Sequence, residues 1–153
     1  MSIRRAALAD ADALTDLYLS SRRELVADAP LVHSESQVRQ WVREVLIPNA
    51  TVAVLEVGVE DPTCVGFIAL SSTADSAWID QLYIDPMAVR RGHGRALVRW
   101  AKALVGPPIR LYTFQFNDPA RRFYTQEDFV VVEYRDGSQN EERCPDVLYE
   151  WRG

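Results

Sequence analysis

The chain has 153 residues, of which 48% are apolar and 25% charged, with 7 glycines and 8 prolines. These values fit one folded domain spanning residues 1–153 and exclude collagen, low-complexity sequence and intrinsic disorder. Seventeen basic against 22 acidic residues give a net charge of −5, which argues against a general nucleic-acid binder.

In chain order, Ile3–Ala6 reads as a short strand. Asp10 is placed to cap a helix carrying Leu14, Leu17, Tyr18 and Leu25 on one side. Ser34 and Gln37 form a capping box for a second helix, whose apolar positions Val38, Trp41, Val42, Val45 and Leu46 recur at helical spacing until Pro48-Asn49. The period then changes. Thr51–Val57, Cys64–Leu70 and Trp78–Ile84 are rich in Val, Ile and aromatics and read as three successive antiparallel strands. A glycine-punctuated turn leads to a helix at about Gly94–Leu104, stopped by Gly106-Pro107-Pro108. Ile109–Phe114 is a strand. Asp118 and Pro119 are an N-cap and first-turn pair for a helix running to about Gln126. Phe129–Tyr134 and Val147–Trp151 are the last strands, joined by a polar loop.

The order β-α-α-β-β-β-α-β-α-β-β predicts an α/β fold with a mixed sheet. The crossover between Trp78–Ile84 and Ile109–Phe114 makes those two strands parallel. Val147–Trp151 is a candidate edge strand for pairing across a homodimer, and a covered strand in a monomer is the alternative.

No uncharged apolar run approaches the roughly 18 residues of a membrane span. Met1-Ser2-Ile3-Arg4-Arg5 opens no apolar signal segment, so a cytoplasmic chain without a membrane partner is expected. Cys64 and Cys144 lie far apart and form no CxxC or Cys/His cluster, which argues against a structural zinc site and for free thiols.

Charge is unevenly spread. Pro86–Lys102 holds five basic residues (Arg90, Arg91, Arg95, Arg99 and Lys102) and no acidic one. That leaves 12 basic and 22 acidic residues elsewhere, a net −10. Within this segment, Arg90-Arg91-Gly92-His93-Gly94-Arg95-Ala96 joins a strand to a helix. Glycines let the backbone approach a ligand, and the helix start offers unpaired N–H groups and the positive end of the dipole. The segment is therefore an anion site suited to phosphate. It is no P-loop, since GK[ST] is missing, and no dinucleotide fingerprint, since Leu97 stands where a third glycine belongs. The alternative is an exposed helix start with solvated arginines, although three cations there oppose the dipole unless an anion offsets them. His93 is either a phosphate contact or a solvated loop histidine.

These segments resemble the GNAT superfamily of N-acetyltransferases, which use acetyl-CoA. Arg91-Gly92-His93-Gly94-Arg95-Ala96 fits that family's pyrophosphate loop Q/R-x-x-G-x-G/A at each fixed position. Ile79–Pro86 is similar to its acetyl-CoA strand, and Asn117, Ala120, Phe123 and Tyr124 to its N…A…FY helix. The family's following Gly-Phe is Asp128-Phe129 here, a change in the turn after the helix.

The resemblance implies acetyl-CoA as co-substrate and direct transfer to a small-molecule amine. It implies that the backbone of Leu82, Tyr83 and Ile84 aligns pantetheine on a strand splayed from its parallel neighbour. It also implies a backbone donor for the developing oxyanion, a contact whose removal elsewhere costs about 2.7–4 kcal/mol. Tyr124 would protonate the departing thiolate, since a phenol's reference pKa near 10 exceeds a thiol's near 8.5. Asn117 serves the pantetheine arm or is only a helix cap. For the base, Asp80 comes first. Gln81 lies beside it on the acetyl-CoA strand, and Glu24, Asp28 and His33 lie in the N-terminal region that forms the acceptor wall in this family, with a solvated loop histidine the first reading of His33. Glu141, Glu142 and Asp146 favour a cationic acceptor if they face it, and otherwise belong to a solvated face. A non-catalytic CoA-binding module and an acetyltransferase of protein amino groups are the other readings.

Overall fold

The computed structural model describes residues 1–153. The chain runs through β1 (Ser2–Arg5), α1 (Ala11–Leu25) and α2 (Glu35–Trp41), which continues through a π-helical stretch, Val42–Leu46, into a last turn, α3 (Ile47–Asn49). Then follow β2 (Thr51–Val57), β3 (Thr63–Ser72), β4 (Ala77–Ile84), α4 (His93–Val105), β5 (Ile109–Phe114), α5 (Asp118–Gln126), β6 (Phe129–Arg135) and β7 (Asp146–Trp151). The strands form one mixed sheet in the order β1-β2-β3-β4-β5-β7-β6. Only β4 and β5 are parallel, as the crossover through α4 requires.

Helices cover both faces. Leu97, Val98 and Ala101 of α4 pack with Ala53, Leu55, Ile68, Leu111 and Tyr149 on one face. Leu14, Leu17, Val38 and Val42 pack with Val52, Val54 and Phe67 on the other. Successive residues of β2 thus enter opposite cores, which explains why Thr51–Val57 is an unbroken apolar run rather than an alternation.

The Ser34–Gln37 capping box forms in both directions, at 3.2 and 2.8 Å. Three local expectations are corrected. Asp10 precedes α1 but does not cap it, because its carboxylate is held by Arg4 at 2.8 and 2.9 Å and by the Ala7 N–H at 2.7 Å. Asn117, not Asp118, caps α5, with Pro119 in the first turn. Val45 is 47% exposed, because the widened π turn keeps Val38, Val42 and Leu46 in line at intervals of four and rotates Val45 outward. A fourth correction concerns topology. Val147–Trp151 is no edge: β7 lies between β5 and β6 and pairs with both.

Candidate active site

β4 and β5 are paired only at Ala77↔Ile109 and Trp78↔Arg110. Beyond that point β4 stays on β3, while Leu111–Phe114 pairs with β7 alone. A register shift between Ala69 and Leu70 leaves Asp80 as the extra residue of a bulge on β4, and bulges bend and twist the strand that carries them. The two strands therefore part, and a cleft of about 890 Å³ opens between them. The Asp85 N–H donates to Val65 O at 2.8 Å. By the alternation of an antiparallel ladder, Tyr83 then turns its backbone onto β3, whereas Leu82 and Ile84 turn theirs to the open side. The Ile84 carbonyl already accepts from the Ser21 hydroxyl of α1 at 2.9 Å.

The turn before α4 is built on positive φ: 63° at Arg90 and 83° at Gly92, the helix N-cap. The first closing bond runs from the Ala96 N–H to Gly92 O at 3.0 Å, so the N–H groups of His93, Gly94 and Arg95 have no partner in the chain. Arg90, Gly92, His93, Gly94 and Arg95 line the cleft. Arg91, which is exposed, and Ala96 do not. Arg95 is the one arginine of the segment in an ion pair, with buried Glu127 at 3.2 Å. Arg90, Arg91 and Arg99 have no carboxylate partner. His93 Nδ1 is buried without one. A Cβ on Gly94 would meet the Phe123 ring at 3.3 Å, so glycine here lets α4 close on α5.

On α5, Asn117 Oδ1 accepts the Ala120 N–H at 3.3 Å, which leaves its amide nitrogen free at the cleft wall. Tyr124 is 8% exposed and packs edge-on against Phe123 and Phe129, with ring centroids at 5.1 and 5.7 Å. Burial pushes its phenol above the usual range, and no group of the chain hydrogen-bonds to it. It stays protonated at neutral pH with its proton free to donate. Asp80 has no ion-pair partner. Partial burial in the cleft raises its carboxyl above the ordinary value, and the Ser71 hydroxyl opposes that rise.

The opposite end of the cleft is made by residues that sequence reasoning named only in part: Glu142 and Asp146 as possible acceptor-facing acids, but not Arg22, Arg135 or Asn140. Arg22 on α1 and Arg135, Asn140, Glu142 and Asp146 around the β6–β7 loop all line it. Asp146 is gripped by Arg135 at 2.8 and 2.7 Å, and by the Asn140 amide at 3.1 Å. Gly137 packs so tightly that a Cβ would lie 2.6 Å from the Cys144 backbone. The loop so fixed reaches back to the start of the chain, setting Glu141 2.9 Å from His33 and Glu142 3.7 Å from Arg22. Of the three acids with two open readings, Glu142 and Asp146 line the cleft, whereas Glu141 does not. Glu24, Asp28 and His33 lie outside it; among the base candidates only Asp80 and Gln81 line the cleft. The acidic pair Glu141-Glu142 was the single visible signal for this wall, and nothing local tells where a loop tip will land.

The model of the acetyltransferase (GNAT) family matches residues 12–129. The chain belongs to this family. Peptidyl-lysine N-acetyltransferase YiaC of Escherichia coli is 27% identical, covering 97% of this chain and 95% of that one. Spermidine N(1)-acetyltransferase of Thermoplasma acidophilum is 26% identical, over 90% and 92%. The crystal structure of PaiA N-acetyltransferase from Thermoplasma acidophilum, in complex with coenzyme A, shares the fold at a TM-score of 0.75. It is 21% identical and aligns over 99% of this chain and 98% of that one.

This GNAT acetyltransferase gathers its three distinctive segments, the split strand, the glycine turn and the Asn117–Tyr124 helix, around one cleft. No group of three or more His, Cys, Asp or Glu side chains is gathered to hold a metal ion.

Proposed function

We propose that this GNAT enzyme moves the acetyl group of acetyl-CoA directly to a primary amine of a small molecule. The observation that carries the reading is the common cleft. The open edge of β4, three unpaired helix N–H groups, an unpaired arginine and a buried, proton-bearing phenol all face the same space. The residues suit the co-substrate. Unpaired N–H groups at a helix start and free guanidinium groups match a diphosphate. The open backbone edges of Leu82 and Ile84 match an amide-bearing arm.

Acetyl-CoA supplies an acyl carbon activated as a thioester. The chain's residues do the rest. Arg90 and Arg95, with the N–H groups of His93, Gly94 and Arg95 and the turn at Gly92, hold the diphosphate, while Arg91 adds only a screened charge from off the cleft wall and Ala96 closes the first helical turn. Leu82 and Ile84 align the arm by backbone hydrogen bonds, Tyr83 anchors them on β3, and the free amide of Asn117 assists. Asp80 takes a proton from the acceptor's ammonium, freeing the nitrogen lone pair that then forms the N–C bond. Tyr124 gives its proton to the sulfur as the C–S bond breaks, and its phenolate is reprotonated by the second proton leaving the new amide nitrogen.

Thiol release from acetyl-CoA with a panel of small amines, next to calorimetry with coenzyme A, tests this. Amine-dependent release and coenzyme A heat are expected, and neither appearing would overturn the reading. The resemblance to the Escherichia coli lysine enzyme favours a second reading, a protein amino group as acceptor. Faster acetylation of lysine peptides than of free amines would establish it. The proposal includes one catalytic domain over residues 1–153, a monomer or homodimer, and a cytoplasmic setting without nucleic acid or membrane. No helix is long and apolar enough to cross a membrane.

A further inference from the structure

The cleft wall opposite α4 contains an ion pair that is only partly made. The Arg22 side chain is 5% exposed, yet its Nε has no partner. Nη1 donates to the Tyr18 hydroxyl and Nη2 to Pro30 O, both at 3.1 Å. The nearest carboxylate, Glu142, stands 3.7 Å away, beyond hydrogen-bond reach. That carboxylate is 14% exposed and accepts no hydrogen bond from the chain. The Tyr83 phenol beside the guanidinium is pushed up by burial, so it stays neutral and offers no compensating charge. A planar guanidinium carries five N–H donors, and leaving a buried cation short of partners is costly.

The same loop shows what a completed pair looks like. Arg135 grips Asp146 through two parallel bonds at 2.8 and 2.7 Å, and Asn140 adds a third. Arg22 and Glu142 line the cleft from α1 and from the loop tip, and each keeps unused bonding capacity, at Arg22 on the second N–H groups of Nη1 and Nη2 rather than on the sealed Nε. A ligand presenting an oxygen anion to Arg22 and a cationic nitrogen to Glu142 completes both.

We infer that the acceptor carries a carboxylate, received by Arg22, and is therefore an amino acid-type zwitterion rather than a bare alkylamine. Arg22 is the specificity-determining residue, and Glu142 attracts the acceptor's ammonium into the cleft, where Asp80 remains the base. The inference rests on the acetyl-CoA reading above and narrows its acceptor.

Matched pairs that differ only in the carboxylate test it: lysine with cadaverine, and phenylalanine with 2-phenylethylamine, each followed by thiol release at neutral pH. The carboxylate-bearing member should have a kcat/KM higher by about tenfold, carried by KM, as one charge-assisted contact supplies. In Arg22→Gln that preference should shrink to about twofold while the KM for acetyl-CoA stays put, and Arg22→Lys should restore part of it. Should Arg22→Gln not fold, the ratio in the unmodified enzyme decides alone. Equal or better use of cadaverine, spermidine or a capped lysine peptide, with coenzyme A binding intact, overturns this inference alone. Equal loss for both members of a pair in Arg22→Gln overturns it too. Absent coenzyme A binding overturns both readings.

Discussion

At its α4 end the cleft is encoded in one short stretch, Arg90–Arg95, whereas its α1 end is gathered from Arg22, Asn140 and Glu142. The first end works through main-chain N–H groups and the direction of a helix, so it needs only glycines and cations in sequence. The second works through side chains brought together by the sheet, and the loop that completes it lies on the far side of the split. The contrast separates two tasks. A local turn suffices to grip a diphosphate, while choosing an acceptor takes groups whose placement depends on the whole fold. The two ends should therefore respond independently to substitution.

That independence can be broken or sharpened by five substitutions. Tyr124 stands between the ends, and Tyr124→Phe should lower kcat by about a hundredfold, the low end for a lost general acid. Coenzyme A affinity by calorimetry should not change. On β4, Asp80→Asn should lower kcat/KM by about a hundredfold at neutral pH. Burial raises the Asp80 carboxyl above its ordinary 3.8, and the group is a base only when ionised. Activity of the unmodified enzyme should then climb as pH rises through that raised value, and Asp80→Asn should lack this acid limb. At the α4 end, Arg90→Glu should raise the KM for acetyl-CoA by about tenfold and leave the acceptor's KM alone. Arg91→Glu, off the cleft wall, should act by about threefold at most, since its charge is screened by solvent. Smallest is Gly94→Ala, whose added carbon presses on Phe123 at 3.3 Å. It should cost about 1 kcal/mol, seen as a Tm lower by about 2–4 °C.

Much of the architecture was legible in the residues. The strand Ile109–Phe114 and the Ser34 box announced themselves, because period and capping chemistry are local. The turn at Arg90–Ala96 was legible for the same reason. Asp10 misled because a long-range partner, Arg4 on β1, outcompeted the helix for its carboxylate. Asn117 and Asp118 are both competent caps, and only the chain's path off β5 selects between them. The interior position of β7 was hidden, since strand order is a property of pairing rather than of any one segment. Arg22 was hidden for the same reason: Glu142, which the residues did point to as a possible acceptor-facing acid, lies near the other end of the sequence.

The insertion of β7 between β5 and β6 bears on how the molecule is born. During folding, β5 has only two residues of β4 to pair with, and β6 has no neighbour at all until Asp146–Trp151 docks between them. During that interval two strand edges stay open to other nascent chains, so this half of the sheet is where chaperones have most to protect.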